Sequence, residues 1–244
     1  MKRLFDISIS ITAIILSAPL LIPSILAIWL QDFHSPFYFA KRVGKNNKQF
    51  KMIKLRSMIV NAEKSGVDST SAQDKRITNI GKIIRKLKLD ELPQFWNVLL
   101  GQMTIVGPRP NVKRETDLYT DVEKKILTVS PGITDIASIV FSDESQILAP
   151  YDDPDIAYNQ LIRPKKSELI LFYIKNKNFL FDLKLIFFTA IAIINKKLSL
   201  RLLSKSLRKI DDSSKIIDIV KRDKPLLPCP PPGSNSIVVN RDLY

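Results

Sequence analysis

The chain has 244 residues, of which 45% are hydrophobic, enough for the core of one domain, alone or with appendages. Lys and Arg number 38 against 24 Asp and Glu, and the net charge of +14 asks for an anionic partner: nucleic acid, anionic lipid or a phosphorylated substrate. One cysteine, Cys229, excludes an internal disulfide or Cys-rich zinc site, and one histidine, His34, excludes a His-cluster metal site. No Gly-x-Ser-x-Gly, P-loop or dinucleotide-binding pattern occurs, so any catalysis rests on carboxylates, Lys and Arg, with or without a hard cation.

In chain order, residues 7 to 30 carry no charge over 24 positions. As one helix they reach about 36 Å, enough to cross the hydrocarbon layer, and the run is too long for an ordinary signal peptide. Ser17 and Pro19 stand at its midpoint and Pro23 one turn later, where a helix should kink or break. Both flanks are basic: Lys2 and Arg3 before it, and seven basic residues with no acid in 41 to 56 after it. A simple span and a re-entrant helix that leaves by the face it entered are both open from these features.

Residues 37 to 43 and 48 to 55 alternate around Gly44-Lys45-Asn46-Asn47 and predict a basic β-hairpin. Residues 59 to 76 read as a helix end and loop. Ile80, Ile83, Ile84 and Leu87 fall at helical spacing among lysines and arginine, either a solvated face or one that meets anionic headgroups. A helix is expected from about Glu91 to Leu100, a rigid turn at Gly107-Pro108-Arg109-Pro110, helix over 111 to 128, and a short strand in Ile133 to Phe141. Residues 167 to 194 predict one long apolar helix or two, with an uncharged run of only ten residues, about 15 Å and too short to span. Residues from about 210 to 244, with the Pro-rich 225 to 233, read as a flexible tail.

The sharpest local constellation is Arg85 with Leu89-Asp90-Glu91-Leu92-Pro93-Gln94, followed by Gly107-Pro108-Arg109-Pro110. Taken alone, an Asp-Glu pair at a helix start is a cap, and an Arg between prolines is a turn residue. Their context points further. Lys2-Arg3-Leu4-Phe5-Asp6, the Pro-interrupted apolar helix, Arg42-Val43-Gly44 with Phe50, and Lys54-Leu55-Arg56-Ser57-Met58 come in order. Arg76-Ile77-Thr78 with Gly81, the Asp90-Glu91 stretch with Trp96-Asn97, Val106 to Pro110, Pro131-Gly132-Ile133-Thr134, and Tyr173 to Lys184 follow. This ordered set, from residue 2 to about 195, resembles the bacterial sugar transferases, the polyprenyl-phosphate sugar-1-phosphate transferases also called monotopic phosphoglycosyl transferases. The sequence departs from that pattern at Leu55, where Phe is usual, at Asp135, where Gly is common, and at Ser138, where Gln is common. These departures lie away from the Asp90-Glu91 pair and bear on donor recognition more than on the chemistry.

The resemblance implies an α+β, mainly helical fold: a Pro-broken re-entrant membrane helix over 1–36 with its break at Ser17 and Pro19, a cytoplasmic catalytic domain over 37–195 with a small β-hairpin, and a basic, Pro-containing tail over 196–244. It implies transfer of a sugar 1-phosphate from a nucleotide diphosphate-sugar, foremost a UDP-sugar, to polyprenyl (undecaprenyl) phosphate, initiating exopolysaccharide, capsule, O-antigen or glycoprotein glycan assembly. Asp90 would be the nucleophile and Glu91 the ligand of a Mg²⁺ cofactor; Arg85, Arg109, Lys54 and Arg56 would meet substrate phosphates. The partners are then donor, acceptor and membrane lipids, not nucleic acid, and a homo-oligomer is left open. The place is the cytoplasmic face of the bacterial inner (plasma) membrane, and the extra four-span domain of longer members is expected to be missing. Two other readings stay open: a metal-dependent glycosyltransferase using Asp153-x-Asp155, and a non-enzymatic membrane-anchored basic binding module.

Overall fold

The computed structural model describes residues 1–62, 74–210 and 214–239. Much of the stretch expected as helix end and loop, 59 to 76, lies outside them.

Helix α1 runs from Lys2 to Asp32. It is the one helix among the described residues long and apolar enough to cross a membrane. The break expected at Ser17 and Pro19 does not interrupt it: Pro19 and Pro23 both lie inside the helix. Each proline withholds one amide from the ladder, and the neighbouring turns keep theirs, so the defect is a missing hydrogen bond and not a gap. Ser17 Oγ donates to the Ile14 carbonyl (3.2 Å) and Ser24 Oγ to that of Leu20 (2.7 Å). Ile11, Ile15, Leu16, Leu20, Ile22 and Leu26 are exposed.

Both ends of α1 are bound to the same folded body. At its start, Lys2 Nζ donates to Asp182 (2.5 Å) and to the Val106 carbonyl (3.0 Å), Arg3 to the carbonyls of Val98 (2.5 Å) and Leu99 (2.8 Å), and Thr104 Oγ1 donates to Asp6 (2.7 Å). At its end, Ile28 packs with Leu55 and Ile84, and Asp32 receives both terminal nitrogens of Arg56 (2.5 and 2.6 Å).

The hairpin forms as expected. Strand β1 (Phe37–Val43) pairs antiparallel with β2 (Gln49–Leu55), Phe37 opposite Leu55 and Val43 opposite Gln49. The turn between them needs left-handed backbone at Asn46 and Asn47, a conformation asparagine tolerates. Helix α2 (Asn79–Lys86) starts at Thr78, whose hydroxyl accepts the Gly81 amide at 2.9 Å. A Cβ on Gly81 would sit 1.9 Å from the Ser57 carbonyl, so only glycine lets α2 close on the chain leaving β2.

The helix expected from Glu91 begins later. Leu89–Glu91 is a single 3-10 turn entered through left-handed Lys88, and α3 covers only Gln94–Leu99. Strand β3 (Thr104–Val106) pairs in parallel with β4 (Gly132–Thr134). There Gly107 and Gly132 lie backbone against backbone, and a Cβ on Gly132 would fall 2.2 Å from the Gly107 nitrogen. Helix over 111 to 128 shrinks to α4 (Lys113–Asp117) and a 3-10 stretch at Glu123–Thr128. The expected strand stops at Thr134; α5 (Ile136–Val140) follows because Asp135 caps it. Short helices α6 (Glu144–Leu148) and α7 (Pro154–Ala157) lead through a π-helical turn, Tyr158–Ile162, into α8 (Arg163–Asn176).

The long apolar segment is two helices, α8 and then α9 (Phe179–Ile194), the second capped by Asn178. The expected tail is also partly helical. Helix α10 (Lys196–Arg208) and α11 (Ser214–Lys221) bury Leu200, Leu203, Leu207, Ile216, Ile217 and Val220 in the same core as Val98, Ile139 and Leu169. Their polar composition hid an amphipathic face that this core needs. The Pro-rich stretch beyond lies on the body, with the Cys229 amide donating to the Gln160 carbonyl (3.1 Å).

Candidate active site

Three segments far apart in sequence bring their charges together. Strand β2 supplies Lys54, the Leu89–Glu91 turn supplies Asp90 and Glu91, and the turn after β3 supplies Arg109. Asn97 holds the strand to α3: its Oδ1 accepts the Ile53 amide (2.8 Å), and its Nδ2 donates to the Lys51 carbonyl (2.8 Å) and to Gln102 (2.7 Å). That clamp sets Lys54 Nζ 3.6 Å from Glu91 and 4.0 Å from Asp90. Leu89, just before the acids, packs on Ile28, Leu55 and Ile84, so the turn sits against the second half of α1.

The two acids are held differently. Glu91 receives both terminal nitrogens of Arg109, one at 3.1 Å on Oε2 and the other on Oε1. Burial works against its charge, but Arg109 and then Lys54 hold its carboxyl far below the ordinary range. Asp90 is buried, 7% exposed, and its one ion pair within 4 Å is the long contact to Lys54. Burial pushes its carboxyl up, with Lys54 pulling back and Glu91 adding to the rise. Burial likewise lowers the Lys54 ammonium. Arg85, in the last turn of α2, donates to Ser57 Oγ at 3.5 Å and is among the charges that lower Asp90. The site thus holds one carboxylate on a bidentate cation and leaves its neighbour with a long ion pair to Lys54.

Arg56 does not join the group. Although it shares strand parity with Lys54, β2 ends at Leu55, and the Arg56 side chain turns to Asp32 and the Ser35 carbonyl (2.8 Å). It fastens α1, with three of its five N–H donors committed to Asp32 and Ser35. Ser17, which is buried, and exposed Pro19 lie in the middle of α1, not at the charged centre. Asp153 and Asp155 are structural: Asp153 accepts the amides of Asp155 (3.0 Å) and Ile156 (3.1 Å), and Asp155 is buried against Arg114 (3.3 Å). This is capping of a short helix, which explains why the Asp-x-Asp spacing imitates a metal motif.

As a metal site, the pair offers two hard oxygen donors, and no group of three or more His, Cys, Asp or Glu comes together among the described residues. A Mg²⁺ ion takes one or two carboxylates and fills its other positions with water and substrate phosphate oxygens, so the donor set fits. Both Glu91 oxygens accept from Arg109, and each keeps a second lone pair that a metal ion could take.

Sequence reasoning passed over a second feature beside Arg109. A shallow, partly open cleft is lined by Arg109, Asn111, Asp135, Ser138, Tyr158 and Lys166, from separate stretches of chain. Only the departures at 135 and 138 signalled it.

An acid pair ringed by cations beside an apolar helix is a centre for handling anions next to a nonpolar phase. The chain belongs to the bacterial sugar transferase family, whose model matches residues 1–196. It is 36% identical over 197 residues to the UDP-N-acetylgalactosamine-undecaprenyl-phosphate N-acetylgalactosaminephosphotransferase of Aeromonas hydrophila, a match covering 79% of this chain and 43% of that protein. It is 34% identical over 200 residues to the UDP-glucose:undecaprenyl-phosphate glucose-1-phosphate transferase of Klebsiella pneumoniae, covering 80% and 40%. An uncharacterised sugar transferase of Bacillus subtilis (strain 168) is 32% identical over 189 residues, covering 78% of this chain and 85% of that one. The chain therefore spans less than half the length of the first two and most of the third.

Proposed function

We propose that this protein transfers a sugar 1-phosphate from a nucleotide diphosphate-sugar to undecaprenyl phosphate through an intermediate on Asp90, the first membrane-bound step of glycan assembly. The observation that carries the reading is the contrast within the pair: Glu91 is locked by Arg109, while buried Asp90 has, among the described residues, a single ion pair, the 4.0 Å contact with Lys54. A carboxylate neutralised by a bidentate guanidinium is a weaker nucleophile than one left with a long, single ion pair. The family match and the names of the relatives, which share a UDP donor and undecaprenyl phosphate and differ in the sugar, favour the same substrates.

In the first step an Asp90 carboxylate oxygen attacks the phosphorus that bears the sugar. The bond from that phosphorus to the bridging oxygen breaks, and nucleoside monophosphate leaves with the electron pair. In the second step a phosphate oxygen of the lipid attacks the same phosphorus, forms the new anhydride and returns Asp90 as carboxylate. Lys54, Arg85 and Arg109 offset the repulsion between an incoming diphosphate and the acids and stabilise charge on the transferring group. The partial burial of Asp90 limits water, which would otherwise hydrolyse an acyl phosphate. We include Mg²⁺ with Glu91 as its protein ligand; when bound it would supply charge neutralisation at the phosphates.

The same reading places the body at the cytoplasmic face of the plasma membrane with α1 re-entrant. Supporting this, Lys2, Arg3 and Asp6 at one end and Ile28 and Asp32 at the other all bind one folded body, which a simple span would have to leave on one side. Single cysteines in an N-terminal extension and at Lys45, in a Cys229→Ser background, should both label from the cytoplasm only; labelling of either from outside would make α1 a span. The chemistry is tested with donor alone. Enzyme mixed with a nucleotide-sugar before any lipid acceptor should release monophosphate in near-stoichiometric amount. If release waits for undecaprenyl phosphate, Asp90 is not the covalent carrier.

A further inference from the structure

The cleft beside Arg109 holds an acid that the transfer steps do not use. Asp135 is 1% exposed. Its Oδ1 accepts the Ser138 amide at 2.6 Å and so caps α5. Its Oδ2 has no well-aligned hydrogen-bond partner and neither has the hydroxyl of Ser138, although the Ser138 side chain and the Arg109 amide both act on the carboxyl. Both side chains line the cleft, with Arg109 on one side and Lys166 on another. Capping does not require a carboxylate here, because Ser, Thr or Asn caps a helix as well without a second anionic oxygen. A buried carboxylate oxygen without a donor is costly, and the cost is relieved when a ligand brings one. Burial lifts the Asp135 carboxyl above the ordinary range, against the pull of the Ser138 amide and hydroxyl, of Lys166 and of the Arg109 amide.

We propose that this cleft receives the sugar of the donor, and that Asp135 Oδ2 accepts a hydrogen bond from a sugar hydroxyl or amino group and so selects among sugars. The inference rests on the transfer reading and names its specificity residue. Three features choose the sugar over the rest of the donor. The phosphates are repelled by a carboxylate and belong with Lys54, Arg85 and Arg109. The sugar is bonded to the phosphorus that Asp90 attacks, whereas the nucleoside lies one phosphorus further away. Arg109 joins the two places, since it lines the cleft and also binds Glu91, the neighbour of Asp90.

The test measures kcat/KM in lipid nanodiscs with undecaprenyl phosphate and a panel of UDP-glucose, UDP-galactose, UDP-N-acetylglucosamine and UDP-N-acetylgalactosamine, with UMP as product inhibitor. Asp135→Asn and Asp135→Ser both keep a capping side chain, so the fold is retained by design and is checked by thermal unfolding. For the best donor each should lower kcat/KM by about ten- to hundredfold, as expected for loss of a hydrogen bond to a charged group, and should change the ranking of the sugars. UMP inhibition should move by less than about twofold, since the nucleotide does not touch Asp135. A deoxy analogue of the best donor, lacking the contacted hydroxyl, should lose as much with unaltered protein and little more with either variant. A loss shared equally by all four donors and by UMP, or an unchanged ranking, leaves Asp135 a cap and overturns the subsite. If the unaltered protein releases no UMP from any nucleotide-sugar, the transfer reading fails first and the subsite with it.

Discussion

Two buried acids in this protein are surrounded by cations, and they are built to opposite ends. Glu123 is fully buried, and its carboxylate accepts from Arg163 Nε (3.1 Å) and Nη2 (2.6 Å), Ser167 Oγ (2.6 Å) and the Thr120 amide (3.1 Å). Asp90, nearly as buried, has the 4.0 Å approach of Lys54. Each arrangement has a cost: the first takes two charges out of water and recovers it through four hydrogen bonds, while the second leaves its acid under-compensated. Saturation makes a structural joint, here tying the Glu123–Thr128 stretch to α8. Incomplete pairing makes a reactive group. Burial and nearby charge are shared by both, so neither alone identifies the site; the count of hydrogen bonds does.

The largest effects should divide along that line. Asp90→Asn is expected to lose the monophosphate burst and at least about a thousandfold in turnover, with thermal stability unchanged or raised because an under-compensated charge is gone. Glu123→Gln should do the reverse, costing about 3 kcal/mol or more in denaturant unfolding by leaving Arg163 buried and short of its partner. A variant at Asp90 that unfolds the protein, or one at Glu123 that unfolds nothing, would dissolve the comparison.

Chelation sharpens it next. With excess EDTA, turnover should disappear and return with Mg²⁺, and Glu91→Gln should weaken the metal response; full activity in chelator would remove the metal from the proposal. Arg109→Ala comes after this. It releases Glu91 and removes a phosphate contact, and it should slow the burst by about a hundredfold without moving the label from Asp90. Peptide mapping of the trapped phosphosugar would detect any other attachment site.

The smallest expected effect is on pH. Attack requires Asp90 as carboxylate, so the rate falls as pH drops through its pKa. That pKa is raised by burial, and the acid limb of kcat/KM should therefore lie above that of an ordinary aspartate. Lys54 is the first cation pulling it down, so Lys54→Met should carry the limb further up. A limb that stays in place or moves down would mean that Lys54 does not act on Asp90.

Much of this was written locally. Apolar length without charge gave α1, alternation around an asparagine turn gave β1 and β2, and the order of short motifs gave the family with Asp90, Glu91, Arg85, Arg109 and Lys54. The helix and the hairpin rest on periodicity and turn chemistry, set by residues a few positions apart, whereas the site residues came with the resemblance to the family. What needed the tertiary structure was every choice of partner. Arg56 and Lys54 look alike on the strand, yet β2 ends between them and Arg56 goes to Asp32. Asp90 and Glu91 are adjacent, yet only Glu91 meets Arg109, 18 residues on. The cleft at Asp135 gathers its walls from residues 109 to 170, and helices α10 and α11, polar by composition, are helical members of the core because an apolar surface waited for their leucines and isoleucines. A residue's type says which charges and surfaces it can offer. Which partner takes them depends on close packing of segments distant in the chain, and that is a property of the folded body.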